Sequence, residues 1–239
     1  MDRGKAGGAS ERGPRTLAEL QNLSKRDPES YQADFVQQWR HYESNLKIFL
    51  LKPTDDAKEF CELVMFVAHL SACYRSIVGP FPKQIIDLLS QHYAVLDSEV
   101  RQALCRALIL LRNKDLVGSI ECLEIFFQLF RCKDKVLREM LFNYIIKDIK
   151  QMNQKQRQNH VNKKLQNFMY SMLADANQIA AKKSLDVMIT LYQKRVWQDS
   201  KTVSVIMTAL FSDVGKIKTA ALRFFLGGDQ EGDDDDDDD

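Results

Sequence analysis

Few residue types in this chain stand where they could do chemistry, and most of those that do are cations. Between Lys147 and Lys164, six basic residues (Lys147, Lys150, Lys155, Arg157, Lys163 and Lys164) face a single acid, Asp148. Cations gathered on a loop or a helix end neutralise phosphates, an affinity term that weakens steeply as salt rises. The plainer reading is a solvated face, since Lys and Arg line water in most proteins. Lys182-Lys183, Lys194-Arg195 and Lys216/Lys218 add charge that a regular helical array would align on one side. These six residues are therefore the candidate contacts for RNA or a protein partner.

Other constellations are weaker. His69 and Cys73 stand four residues apart, with Cys61 two turns earlier in the same pattern. A structural zinc site takes four ligands, usually from two segments, so core cysteines beside an ordinary histidine are the better reading. His41, His92 and His160 are dispersed. Between Pro14 and Leu226 the only glycines are Gly79, Gly118 and Gly215, which leaves no room for a phosphate loop or a dinucleotide fingerprint. HExxH and GxSxG are absent from the sequence. The expectation is a protein without catalytic residues, metal or cofactor.

Whatever positions the cations must be helical. All five prolines fall in the first 82 residues, and the three interior glycines are far fewer than the turns of a β-rich chain require. With 45% hydrophobic and 28% charged residues, the chain can bury a substantial core. Residues 97–150 carry the clearest pattern, three amphipathic helices in succession. Asp97 stands as N-cap to a stripe of Val100, Leu104, Leu108 and Leu111. Gly118 precedes Ile120, Leu123, Phe127 and Phe130, and Asp134 precedes Leu137, Leu141, Ile145 and Ile149.

Upstream, Thr16 and Glu19 have capping-box spacing, and Asp27-Pro28 reads as the start of a second helix. Its stripe is Tyr31, Phe35, Trp39, Tyr42, Leu46 and Phe49. Such aromatic weight also suits a base-stacking platform, but regular helical spacing favours core. A third helix is expected over 56–77 and a fourth over 85–89, after the break at Gly79-Pro80-Phe81-Pro82. Residues 151–164 read as a solvated loop or a helix end, with helices again over 165–173, 179–196, 203–211 and 217–226.

An internal echo runs through these helices. Val100-Arg101 with Leu104, Leu137-Arg138 with Leu141, Ala181-Lys182 with Leu185 and Ile217-Lys218 with Leu222 each open one, at separations of 37, 44 and 36 residues. That period is close to HEAT and armadillo repeats, in which one unit cannot bury its own apolar face and must stack on its neighbours. The expected fold is all-α, a HEAT/armadillo-like helical-repeat solenoid over 16–228. A closed irregular bundle is the alternative. Residues 1–15 and the acidic tail 229–239 are expected to be disordered termini.

Nine acidic residues follow Gly228, which leaves 34 basic against 24 acidic residues over 1–228, a net of +10. A basic body with an acidic tail suits work near nucleic acid or basic proteins. The tail reads as a screen against nonspecific RNA binding or as a hold for basic partners. Five cysteines with no CxxC pair (Cys61, Cys73, Cys105, Cys122 and Cys132), all in apolar helical patterns, read as reduced core thiols of an intracellular protein. The longest apolar run, within 107–111, is too short to span a bilayer.

Several stretches resemble the N-terminal region of the Sda family of SDA1-domain-containing nucleolar proteins. They are LQNLSKRDPESY (20–31), FVQQWRHYESNLKIF (35–49), ELVMFVAHLSACY (62–74), CRALILLRNKDLV (105–117), FFQLFRCKDKVLR (126–138), LQNFMYSMLAD (165–175) and AAKKSLDVMITLY (180–192). The resemblance covers about 16–228 and implies a non-enzymatic scaffold in nucleolar assembly and nuclear export of the large (60S) ribosomal subunit. It implies pre-60S ribosomal particle proteins as partners, with possible rRNA contact, and a place in the nucleus and nucleolus. Some members carry a link to actin organisation. A cytoplasmic helical-repeat adaptor in actin cytoskeleton organisation or protein transport is the alternative reading. Family members usually continue beyond the acidic stretch into a long basic half, whereas these 239 residues stop within it, as a fragment or truncated form would.

Overall fold

Eleven α-helices and one 3-10 turn follow one another in a computed structural model that describes residues 15–53, 57–155 and 159–227; none of these is in a strand. The helices are α1 (Leu17–Arg26), α2 (Gln32–Leu51), α3 (Lys58–Leu70), α4 (Phe81–His92), α5 (Ser98–Asn113) and α6 (Ser119–Leu129). They continue with α7 (Lys135–Lys155), α8 (Asn159–Leu173), α9 (Gln178–Gln193), α10 (Ser200–Thr208), the 3-10 turn Ala209–Phe211 and α11 (Gly215–Leu226). The expected disordered segments 1–15 and 229–239 lie outside the described residues, apart from Arg15, which pairs with Asp34 at 2.9 Å.

Each helix packs mainly against helices one, two or three positions away in the chain: α1 on α3, α3 on α5, α4 on α6, α6 on α8, α7 on α9, α9 on α11. One continuous apolar cluster runs from Leu20 to Ala221 through these contacts. This neighbour-to-neighbour stacking is a helical-repeat solenoid of the HEAT/armadillo kind, since no single helix pair here could bury its own apolar face. The stripes expected from the sequence lie inside, apart from Tyr31 and Ile120, which are half-buried. Val100, Leu104, Leu108 and Leu111 are buried in α5, as are Leu137, Leu141, Ile145 and Ile149 in α7. The aromatic stripe of α2 is core: Phe35 stacks on Tyr74 at 4.0 Å between centroids and Phe49 on Phe60 at 4.7 Å, so no base could reach them.

Several boundaries differ from the sequence reading, each for a local reason. Asp27-Pro28 does not start α2. The Asp27 carboxylate accepts the Ser30 N–H at 3.2 Å in a turn, and the helix begins four residues later, at Gln32. Helix α3 stops at Leu70, not Ile77; short turns then seat Tyr74 so that its hydroxyl donates to the Pro28 carbonyl at 2.9 Å. In consequence Cys73 is exposed, not core, and Cys61 is half-buried, whereas Cys105, Cys122 and Cys132 are buried as expected. Helix α4 starts at Phe81, because Pro82 falls in the first turn where a missing N–H leaves no bond unmade. In the last echo of the repeat Leu222 is exposed, and Ala221 faces the core instead.

The joints between repeats are polar. Asp134 caps α7, accepting the Leu137 N–H at 2.9 Å, and also accepts from Ser98 at 2.9 Å and Gln102 at 3.3 Å on α5. Asp175, ahead of α9, accepts the Asn177 N–H at 2.8 Å and the guanidinium of Arg131, which lies just before α7. Asp199, capping α10, accepts the Thr202 N–H at 2.8 Å and the Gln166 amide of α8 at 2.8 Å. These bonds hold all three carboxyls below their ordinary range, against the opposing effect of burial. Asp148 of α7 differs: burial pushes its carboxyl up, against the pull of Arg112 on α5.

Arg101 and Arg138, two of the echo's cations, belong to the same architecture. Arg101 donates to the carbonyls of Tyr93 at 2.9 Å and Leu96 at 2.6 Å, and Arg138 to that of Cys132 at 2.8 Å. Each arginine ties a helix's first turn to the corner before it. A second echo lies at helix ends. After α5 and α9 the chain passes through a left-handed residue, Asp115 (φ 55) and Arg195 (φ 58), and the next N–H returns to the helix: Leu116 to Leu111 O at 3.0 Å, Val196 to Leu191 O at 2.9 Å.

Leu108 is fully buried in the middle of the array. Leu108→Ala should cost about 2–5 kcal/mol in urea unfolding; a loss below about 0.5 kcal/mol would mean that the packing face is misassigned.

Candidate phosphate-binding tip

The six sequence-predicted cations fall on the α7–α8 hairpin. Lys147 and Lys150 are exposed on the C-terminal half of α7, and Lys163 and Lys164 are exposed on the N-terminal half of α8. Lys155 is the last residue of α7, and Arg157 lies outside the described residues. The stretch 151–164 is thus two helix ends around a turn and not a loop throughout. It lacks an apolar period because this part of the hairpin is held by polar groups. The Asn162 amide donates to Asn153 Oδ1 at 2.7 Å, and Asn153 donates back to Asn162 Oδ1 at 3.2 Å. This amide pair fixes one helix against the other, and Asn153 is itself held within α7 by donating to the Ile149 carbonyl at 2.8 Å.

The charge balance at this tip is one-sided. Residues 149–174 contain no Asp or Glu, and Asp148 is turned inward onto Arg112, with Oδ1 3.3 Å from Nη2. Lys150, Lys163 and Lys164 therefore present ammonium groups to water with no acid in 149–174 beside them, while Lys147 shares a cleft with Asp148 and the exposed Asp115. Such a surface attracts a polyanion through diffuse charge rather than through a shaped pocket.

Two open, polar clefts flank the hairpin on the same edge of the array. One, of about 540 Å³, lies between the end of α5 and α7 and is lined by Lys147, Asp148, Gln151, Arg112, Asn113 and Ser119 among others. The other, of about 290 Å³, lies between the hairpin and the α9–α10 corner, with Asn153, Asn162, Arg195 and Trp197 on its walls. The indole N–H of Trp197 is buried there without a partner among the described residues. Neither cleft is the enclosed apolar cavity that ordinarily holds a small molecule.

The other cations noted in the sequence are dispersed. Lys182 pairs with Asp186 at 3.4 Å and belongs to the array itself, while Lys194, Arg195 and Lys218 are exposed. His69 is held below its ordinary range, first by burial and then by Lys25 and Lys114. Among the described residues no three His, Cys, Asp or Glu side chains group closely enough to hold a metal ion, so His69, Cys61 and Cys73 are not brought together as a site. No described helix is long and apolar enough to cross a membrane.

The stacked helices define a helical-repeat protein of the HEAT class. Residues 66–239 match the family described as "SDA1, HEAT repeat", and the chain belongs to that family. It is 55% identical over 223 residues to Protein SDA1 homolog of Nematostella vectensis, which covers 91% of this chain and 32% of the relative. The corresponding protein of Xenopus laevis is 52% identical over 218 residues, covering 91% and 32%. That of Drosophila melanogaster is 51% identical over 219 residues, covering 91% and 31%. The chain spans about a third of the length of these curated relatives.

Because the four described lysines are solvated, reversing Lys147, Lys150, Lys163 and Lys164 singly to Glu should change unfolding free energy by less than about 0.5 kcal/mol each. Urea unfolding checks this. A loss above about 2 kcal/mol at any one of them would mark it as part of the fold and not of a contact surface.

Proposed function

We propose that this chain is a non-enzymatic scaffold in the nucleolar assembly and nuclear export of the large (60S) ribosomal subunit. It holds pre-ribosomal proteins along its stacked helices and lays the tip of the α7–α8 hairpin against rRNA. Membership of the SDA1 family supports the setting in nucleus and nucleolus. The single observation that carries the RNA contact is the hairpin itself: exposed Lys147, Lys150, Lys163 and Lys164 on a stretch whose only acid, Asp148, is engaged with Arg112.

The mechanism is positional. A solenoid is a rigid, extended surface with no edge strands, so several partners can be held side by side at fixed spacing. Phosphate contacts from lysines orient an RNA without reading its sequence. Specificity then comes from the proteins docked on the rest of the array.

Sedimentation of cell extracts through sucrose gradients tests this reading. The chain should travel with large-subunit precursors at low salt and move toward the top of the gradient as salt rises. The Lys147, Lys150, Lys163 and Lys164 to Glu quadruple variant should do so at lower salt than the wild type. A chain confined to free cytosolic fractions at low and high salt alike would favour the adaptor reading and contradict the proposal.

A further inference from the structure

One large side chain on the α7–α8 hairpin takes no part in the packing. Tyr170, on the C-terminal half of α8, is 54% exposed, and among the described residues its ring meets no other ring and its hydroxyl no partner. The other exposed aromatic side chains, Phe211 and Phe225, lie at the end of the array, where Leu222 and Leu226 are exposed as well. The setting of Tyr170 is cationic and polar instead. The outward face of α8 runs through His160, Lys163, Lys164, Asn167, Tyr170 and Ser171, all exposed and at helical spacing. Lys163 stands seven residues before Tyr170, two turns or about 10 Å away along nearly the same line of the helix. Between them, Asn167 Oδ1 accepts the ammonium group of Lys201, which brings a second cation to that line from α10. Helix α8 itself contains no acid. Of the acids at neighbouring corners, Asp199 is bonded to the Thr202 N–H and Gln166, and Asp175 to the Asn177 N–H and Arg131.

We infer that the outward face of α8 takes an unpaired stretch of RNA, with Tyr170 stacked on one base and Lys163 and Lys201 on the phosphates beside it. The inference rests on reading the hairpin tip as an RNA surface and adds the form of RNA that it takes. Charge complementarity selects a polyanion: the face carries cations and amides, and its helix carries no carboxylate. The ring selects the form. Single strands are held by cations along the backbone and by aromatic rings on which free bases stack, whereas the bases of a duplex already stack on one another. A protein partner fits less well, because the core of a protein interface is depleted of charge and Tyr170 has lysines and an asparagine around it. Lys201 stays available to a phosphate, since an ammonium group has three donors and Asn167 takes one. The lysines of the tip attract any polyanion, and Tyr170 makes the contact that only a strand with free bases completes. Every base has a π face, so this contact distinguishes unpaired from paired RNA and not one sequence from another.

Fluorescence anisotropy on the full 239-residue chain tests this, with a short oligouridylate and a short RNA duplex as probes. Tyr170→Ala should bind the oligouridylate about tenfold more weakly than the wild type, and the duplex within about twofold of it. Tyr170→Phe, which keeps the ring, should bind like the wild type. Tyr170→Leu, which keeps apolar bulk without a π face, should bind like Tyr170→Ala. Because the side chain is solvated, all three variants should keep the wild-type unfolding midpoint. Equal affinity of the wild type and Tyr170→Ala for the oligouridylate overturns the inference, and so does an equal loss for both probes. Photocrosslinking of an oligomer containing 4-thiouridine gives a second reading on the unaltered protein. The crosslinked peptide should contain Tyr170, and crosslinks confined to peptides outside α8 overturn the inference. If the Lys147, Lys150, Lys163 and Lys164 to Glu quadruple variant loses the oligouridylate while Tyr170→Ala keeps it, the RNA reading of the tip stands and this inference falls. If neither probe binds the wild type, both fall and the face belongs to a protein partner.

Discussion

The structure depends on carboxylates that do two jobs at once. Asp134 and Asp199 each cap a helix with one set of lone pairs and accept from a side chain of an earlier repeat with the other, and Asp175 does the same from the turn that leads into α9. A capping acceptor alone would order one helix; an inter-repeat ion pair alone would be a weak surface contact. Joined in one residue, they make the starts of α7 and α10 and the turn into α9 conditional on an earlier repeat. The apolar contacts supply the driving force for stacking, and these carboxylates set where the next repeat begins. Asp148 with Arg112 adds a fourth joint, deeper in the array and closer to the tip.

This division of labour explains why the tip is free for another use. Along most of α7 the inward face is Leu137, Leu141, Ile145 and Ile149, and the outward face has nothing to hold. Beyond Ile149 the hairpin is closed by Met152, Val161 and the Asn153–Asn162 pair, and its described lysines face water. A surface that contributes little to folding can carry a run of like charge with little penalty, provided that the charge meets a partner or a screen. In the proposed setting that partner is phosphate.

Much of this was legible from residue types and spacing because helices advertise themselves locally. Asp97 and Asp134 before apolar stripes, the Thr16–Glu19 box and the aromatic stripe of α2 all depend on neighbours within a few positions, and all stand as read. What was not legible was either non-local or carried no residue signature. The Asp134–Gln102 and Asp175–Arg131 contacts join residues 32 and 44 positions apart. The left-handed ends of α5 and α9 fall on Asp115 and Arg195, where no glycine marks them. Asp27-Pro28 misled because a cap-like acid before proline makes a turn as readily as a helix start, and Tyr74 settles the matter from 46 residues away. At the tip, the cations were plain in the sequence, but a polar hairpin closed by two asparagines has no period to read.

The protein is an open array in which each repeat is held by its neighbours, with charged joints between them. Native-state hydrogen exchange on Arg131→Ala tests it most directly, since that change cuts the joint to Asp175 while leaving the apolar stripes intact. The account predicts that amides of α7, α8 and α9 lose protection while those of α2 and α3 keep theirs, because local opening need not pass along the whole stack. Equal loss of protection from α1 to α11 would contradict it, and would describe a closed bundle that unfolds as one body.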